Sequence, residues 1–189
     1  MKLNLEQGKK LIDLAKKAVY SGEKTSEEFK DKRGVFVTLY TYPERELRGC
    51  IGFPEPILPL GMAICESAKA AAYEDPRFVP LRKNETVIFE ISVLTKPKLI
   101  KIKNIEEYFD KIKIGRDGLV IDCEGMRGLL LPQVAIEQKW DVKSFLNNLC
   151  LKAGLLEETW KEGECKIYNF EAQIFYEKSL DGEIFERKG

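Results

Sequence analysis

The feature that most restricts how this chain can fold is a partial internal repeat. Gly34-Val35-Phe36-Val37 is answered by Gly118-Leu119-Val120-Ile121, Leu47-Arg48-Gly49 by Met126-Arg127-Gly128, Pro54 by Pro132, and Phe89-Glu90 by Phe170-Glu171. Segments that recur in the same order build the same supersecondary unit twice. Periodicity assigns its parts.

In the first copy GVFVTLYT, residues 34–41, is β-branched and aromatic and predicts a strand, with LRGCIGF pairing back on it after the YPERE turn. LGMAICESAKAAAY, 60–73, predicts a helix stopped at Asp75-Pro76. TVIFEISVLT, 86–95, alternates as a strand, with Val87, Phe89, Ile91 and Val93 on one face. The second copy reads GLVID, 118–122, as a strand, CEGMRG as a tight turn and GLLLP, 128–132, as the returning strand. A helix is expected from Val142 to Ala153, closed by Gly154, and then a long strand, 165–177. Ahead of both, residues 4–20 carry an amphipathic helix with Asn4 as N-cap. The expected architecture is α+β: duplicated ββαβ units, mainly antiparallel sheet with packed helices, and lobes at 1–97 and 98–189.

Composition excludes several functions. At 189 residues the chain can bury a core without disulfides or metals. Thirty-one basic residues balance thirty-one acidic ones, so charge gives nucleic acid no support. The charged N-terminus and the lack of any apolar run of about 18 residues predict a cytoplasmic protein, not a membrane one. Five cysteines, an odd number at wide spacing, predict reduced thiols rather than a disulfide framework or a zinc site. With no histidine, Cys-His and Ser-His-Asp catalysis cannot be built from this chain. No cofactor or metal is expected.

Cys50 is the candidate reagent. In an extended strand Arg48 points to its side, and a guanidinium there favours a thiolate. Inert packing is the competing account, since free cysteine behaves as a small hydrophobe and Leu129 stands at its place in the other copy. Arg48 with Glu90, and Arg127 with Glu171, recur together and so predict structural ion pairs. Asp75 and Arg77 end a helix and could line a cleft; Gln133 could present an amide to a ligand or cap the next segment. The run Lys96, Lys98, Lys101, Lys103 predicts a lysine-protected edge strand.

LRGCIG at 47–52, DPRF at 75–78, EISVLT at 90–95, LLPQV at 130–134 and the W-x(4)-F-L-x(2)-L-C-x-K-A-G-L pattern from Trp140 to Leu155 resemble the AMMECR-one domain family. The resemblance spans nearly the whole chain. It implies an α+β protein of two unequal lobes with a cleft between them. It also implies company with Memo-like and radical S-adenosylmethionine proteins in a shared pathway, without an assigned reaction.

Three functions follow as expectations. One is a module binding a small molecule or nucleotide-like ligand in a cleft beside LRGCIG, lined by Arg48, Cys50, Asp75, Arg77, Glu90 and Gln133. Another is a thiol enzyme with Cys50 as nucleophile. The third is a non-catalytic scaffold docking a partner enzyme.

Overall fold

The computed structural model describes residues 2–187. Its elements, in order, are α1 (Leu5–Ser21), β1 (Val35–Thr41), β2 (Leu47–Phe53), α2 (Leu60–Tyr73), β3 (Val87–Leu94), β4 (Lys98–Leu99), α3 (Glu107–Lys111), β5 (Asp117–Cys123), β6 (Met126–Leu130), α4 (Pro132–Glu137), α5 (Val142–Lys152), β7 (Cys165–Glu177) and β8 (Ile184–Arg187). The fold is α+β, as expected. No helix among the described residues is long and apolar enough to cross a membrane. The chain packs as two compact units, residues 2–96 with 173–187, and Pro97–Ala172. The end of β7 and all of β8 belong with the first unit.

In the first unit, α1 starts at a reciprocal cap. Asn4 Oδ1 accepts the Gln7 N–H at 2.8 Å and Gln7 Oε1 accepts the Asn4 N–H at 3.0 Å. Gly22, at φ 77°, closes the helix. β1 lies between β2 and β3, antiparallel to both. Val35, Val37 and Leu39 join Phe89, Ile91 and Val93 in a core shared with α1 and α2. The alanines of α2 let the helix sit close to the sheet. A Cβ on Gly49 would lie 2.0 Å from the Ala71 carbonyl oxygen, so the first glycine of LRGCIG is required by this approach. Gly52 has a similar reason: its Cβ would meet the Phe36 ring at 2.6 Å and the Val35 carbonyl oxygen at 2.2 Å. The C-terminal part of β7 carries β8 through Ile174–Glu177.

Glu177 knots this unit together. Its carboxylate is buried, accepts the Phe89 N–H at 2.9 Å and pairs with Lys16 Nζ of α1 at 2.5 Å. A backbone donor inside β3 is thereby satisfied by a side chain.

In the second unit, β5 pairs with β6 on one side and with the N-terminal part of β7 on the other, and β4 pairs with β7. The β5–β6 turn is only Glu124-Gly125, both at positive φ, so β6 starts at Met126 rather than at Gly128, and Pro132 opens α4 instead of ending a strand. Leu119, Ile121 and Ile167 pack on Phe145, Leu146 and Leu149 of α5. Trp160 is buried and donates its Nε1–H to Asn147 Oδ1 at 2.7 Å, which makes it an anchor of its acidic loop.

The expectation of five reduced thiols is corrected here. Cys123 and Cys165 stand directly opposite each other on β5 and β7, with Cα atoms 4.3 Å apart, and form a disulfide. Spacing along the chain hides such a pair because strand register alone brings it together. Cys50, Cys65 and Cys150 are free.

The ladders do not keep the register expected of the repeat. Gly49 faces Leu39 and Gly128 faces Ile121, so with these glycines aligned Ile121 matches Leu39 rather than Val37, and the cross-strand row Cys50–Thr38–Glu90 corresponds to Leu129–Val120–Tyr168. Tyr168, not Glu171, occupies the place of Glu90. Glu171 faces Asp117, five positions along β5 from Asp122, the residue opposite Arg127. The expected Arg127–Glu171 pair is therefore replaced: Arg127 Nε donates to Asp122 at 2.7 Å.

Candidate functional site

Opposed residues in an antiparallel ladder share a face of the sheet. Cys50 on β2, Thr38 on β1 and Glu90 on β3 form one such row, on the face turned away from the α2 core. The residues on either side of them in sequence, such as Val37, Leu39, Phe89 and Ile91, are fully buried and apolar. The row itself is polar, yet Thr38 is only 8% exposed and Glu90 only 3%. Buried polar side chains need partners, and each of these has one.

The Thr38 hydroxyl donates to Cys50 Sγ at 3.2 Å. The Cys50 backbone is held by the DPRF turn: its N–H donates to Asp75 Oδ2 at 2.9 Å and its carbonyl accepts from Arg77 Nη2 at 3.3 Å. Arg77 in turn grips the Asp75 carboxylate with Nε at 2.9 Å and Nη2 at 2.7 Å, and the Arg77 N–H donates to Asp75 Oδ1 at 3.1 Å. This fork holds the buried Asp75 carboxyl well below the usual carboxylate range, and it raises Arg77. At the other end of the row, Arg187 Nη2 of β8 donates to Glu90 Oε2 at 2.7 Å, with its guanidinium 5.5 Å from the Tyr176 ring centroid.

Arg48 is elsewhere engaged, which corrects the expected Arg48–Glu90 pair. The β1–β2 register slips between Leu39 and Tyr40, leaving Arg48 as the extra residue of a bulge. Bulges re-aim side chains, and this one turns Arg48 to Glu85, with Nε to Oε2 at 2.7 Å and Nη2 to Oε1 at 3.1 Å; Nη2 also reaches the Val79 carbonyl at 2.9 Å. The Glu85 carboxyl is lowered by that guanidinium. The charge expected to activate Cys50 is thus spent on Glu85. Burial pushes the Cys50 thiol up, and the Thr38 hydroxyl and Arg77 only partly oppose it.

Phe78 lies between the two arginines, its ring centroid 5.4 Å from the Arg77 guanidinium carbon and 6.0 Å from that of Arg48. Arg48 is buried, whereas the Arg77 side chain is 53% exposed. Arg77 and Phe78 therefore offer a cation and an aromatic face beside Cys50. Gln133 belongs to the second unit, next to Pro132 at the start of α4, with its Oε1 buried and without a hydrogen-bond partner. No group of three or more Cys, Asp or Glu among the described residues is arranged to hold a metal ion.

Thr38, Phe78, Glu85 and Arg187 were not singled out in the sequence. Thr38 could have been: it is polar at a position of VFVTLYT that pairing sets beside Cys50. Arg187 sits on a short terminal strand with no periodic signal.

Known proteins are similar to this chain. A protein of Methanocaldococcus jannaschii, MJ0810, is 54% identical over 168 residues, covering 88% of this chain and 84% of that protein. Protein MK0488 of Methanopyrus kandleri is 49% identical over 198 residues, covering 98% and 96%. The crystal structure of the uncharacterized protein PH0010 from Pyrococcus horikoshii superposes with a TM-score of 0.91 at 41% identity, covering 100% of both chains. The AMMECR1 family model matches residues 7–175, and the chain belongs to the AMMECR1 family.

Proposed function

We propose that this protein is a binding module for a small anionic ligand of nucleotide type, received beside LRGCIG. The observation that carries the reading is the polar row of half-buried Cys50 with buried Thr38 and Glu90 across three adjacent strands. A sheet face built only for packing would be apolar there, as the opposite face is. The half-exposed Arg77 guanidinium supplies a charge for a phosphate or carboxylate, and the Phe78 ring beside it supplies a surface for a planar group. Asp75 is a positioning residue that holds Arg77 in place.

The raised Cys50 thiol and the diversion of Arg48 to Glu85 favour binding over thiol catalysis. Within the pathway implied by the resemblance, alongside Memo-like and radical S-adenosylmethionine proteins, such a module would present the ligand rather than transform it.

A panel of nucleoside 5′-monophosphates, dinucleotides and small carboxylates, screened by thermal shift and then by calorimetry, tests this. Arg77→Gln should weaken any hit by roughly tenfold or more, the loss of a charge-assisted bond. Cys50→Leu, which installs the residue of the second unit, should lower affinity while leaving the melting temperature nearly unchanged. Hits that bind both variants as tightly as the wild type would refute the site.

A further inference from the structure

The counterpart of the polar row has a different character. In the second unit Leu129, Val120, Tyr168 and Leu99 are consecutive cross-strand neighbours over β6, β5, β7 and β4, and so lie on one face of the sheet. The face behind them is packed: Leu119, Ile121 and Ile167 are fully buried against α5. On the strip itself Leu129, Val120 and Tyr168 are half-buried and Leu99 is 44% exposed. A sheet face left to water carries polar side chains, and four adjacent apolar ones mark a contact surface.

The next row identifies its chemistry. Arg127, Asp122 and Lys166 are neighbours on the same face, two residues along each strand. The Ile100 N–H donates to the Ile167 carbonyl at 2.9 Å, continuing the β4–β7 register towards Lys101 and Lys166, both exposed. Asp122 is bound by Arg127. The border therefore carries a net positive charge, concentrated at Lys166 and Lys101 on β7 and beyond β4, on a chain whose overall charge is zero.

We propose that this face docks a partner-protein segment whose apolar side chains cover Leu129, Val120, Tyr168 and Leu99 and whose Asp or Glu residues meet Lys101 and Lys166. A single-stranded nucleic acid suits the cations but not the strip. Bases stack on aromatic rings, and only Tyr168 of the four is aromatic. An apolar centre with one tyrosine and a charged border is the anatomy of a protein contact.

Selection of a displayed random peptide library on the immobilised full chain tests the proposal, with Leu99→Ser/Leu129→Ser and Lys101→Glu/Lys166→Glu variants as controls and thermal unfolding to show that both remain folded. Peptides combining apolar and acidic residues should emerge, and their affinity should fall at least tenfold on each variant. Selection of no such peptides, or peptides that bind the variants equally, would overturn it. So would binding of poly(U) RNA lost only on the lysine variant, or a concentration-dependent dimer of the chain abolished by the leucine variant.

Discussion

Asp75 completes the open edge of a strand on behalf of Cys50: its carboxylate takes the Cys50 N–H at 2.9 Å, and Arg77, gripped by that same carboxylate, donates to the Cys50 carbonyl at 3.3 Å. A carboxylate and a guanidinium thus stand where a neighbouring strand's C=O and N–H would be. Asp75→Asn removes the charge and half of the fork while keeping the shape, and should cost about 2 kcal/mol, the loss of a charge-assisted buried interaction. The effect has a pH signature. Because the folded-state pKa is depressed, the stabilisation is fully present above the unfolded carboxyl value near pH ~4 and is lost as pH falls through the lower folded value. Urea unfolding from pH 7 to pH 2 should therefore show the wild type converging on the variant in acid. A gap constant with pH would contradict the role given to this carboxylate.

Gly49 and Gly128 are matched close approaches with unequal tolerance. A Cβ on Gly49 would stand 2.0 Å from a backbone oxygen of α2, whereas on Gly128 the nearest atoms, Ala153 N and Leu149 O, are at 2.8 Å. Gly49→Ala should destabilise by ~3 kcal/mol or more and Gly128→Ala by ~1–2 kcal/mol, as overpacking does. Equal and small losses by chemical denaturation would show that helix and strand can separate there.

The three free thiols should label in order of access. Cys50 is half-buried, whereas Cys65 and Cys150 are fully buried. Iodoacetamide mapped by mass spectrometry should modify Cys50 first in the native protein, at a rate still climbing above pH 9 because burial raises its thiol. Cys65, whose thiol is pushed up to about 11, should react only after unfolding. A Cys50 rate that levels off near pH 7 would instead identify a nucleophile.

Cys123 and Cys165 enclose a span with a sequence separation of 42. Denatured, unreduced protein should titrate three thiols and reduced protein five. Reduction should lower stability by about 4 kcal/mol, by the loop entropy returned to the unfolded chain. Five thiols before reduction would contradict the pairing.

How much of this could be read from the sequence follows from what periodicity can see. GVFVTLYT, TVIFEISVLT and the residue 165–177 strand were legible because alternation and β-branching report a pleated surface. LGMAICESAKAAAY was legible at both ends. What failed was register. The slip at Arg48 breaks the period-two rule that placed Arg48 beside Cys50, so its partner became Glu85. The same blindness aligned Glu171 with Glu90, where the ladders set Tyr168, and hid the opposition of Cys123 and Cys165. Asp75 and Arg77 were singled out as helix-stop residues, but their hold on the Cys50 backbone depends on a turn that composition does not encode.

The row Cys50–Thr38–Glu90 with Arg77 at its edge is tested most directly by titrating nitrogen-15-labelled protein with adenosine 5′-monophosphate and following amide shifts. Binding at this site predicts saturable shifts concentrated at Thr38, Cys50, Arg77 and Phe78, weakened tenfold or more in Arg77→Gln. No saturable shifts, shifts confined to other residues, or an unchanged titration of the Arg77→Gln protein, would contradict it.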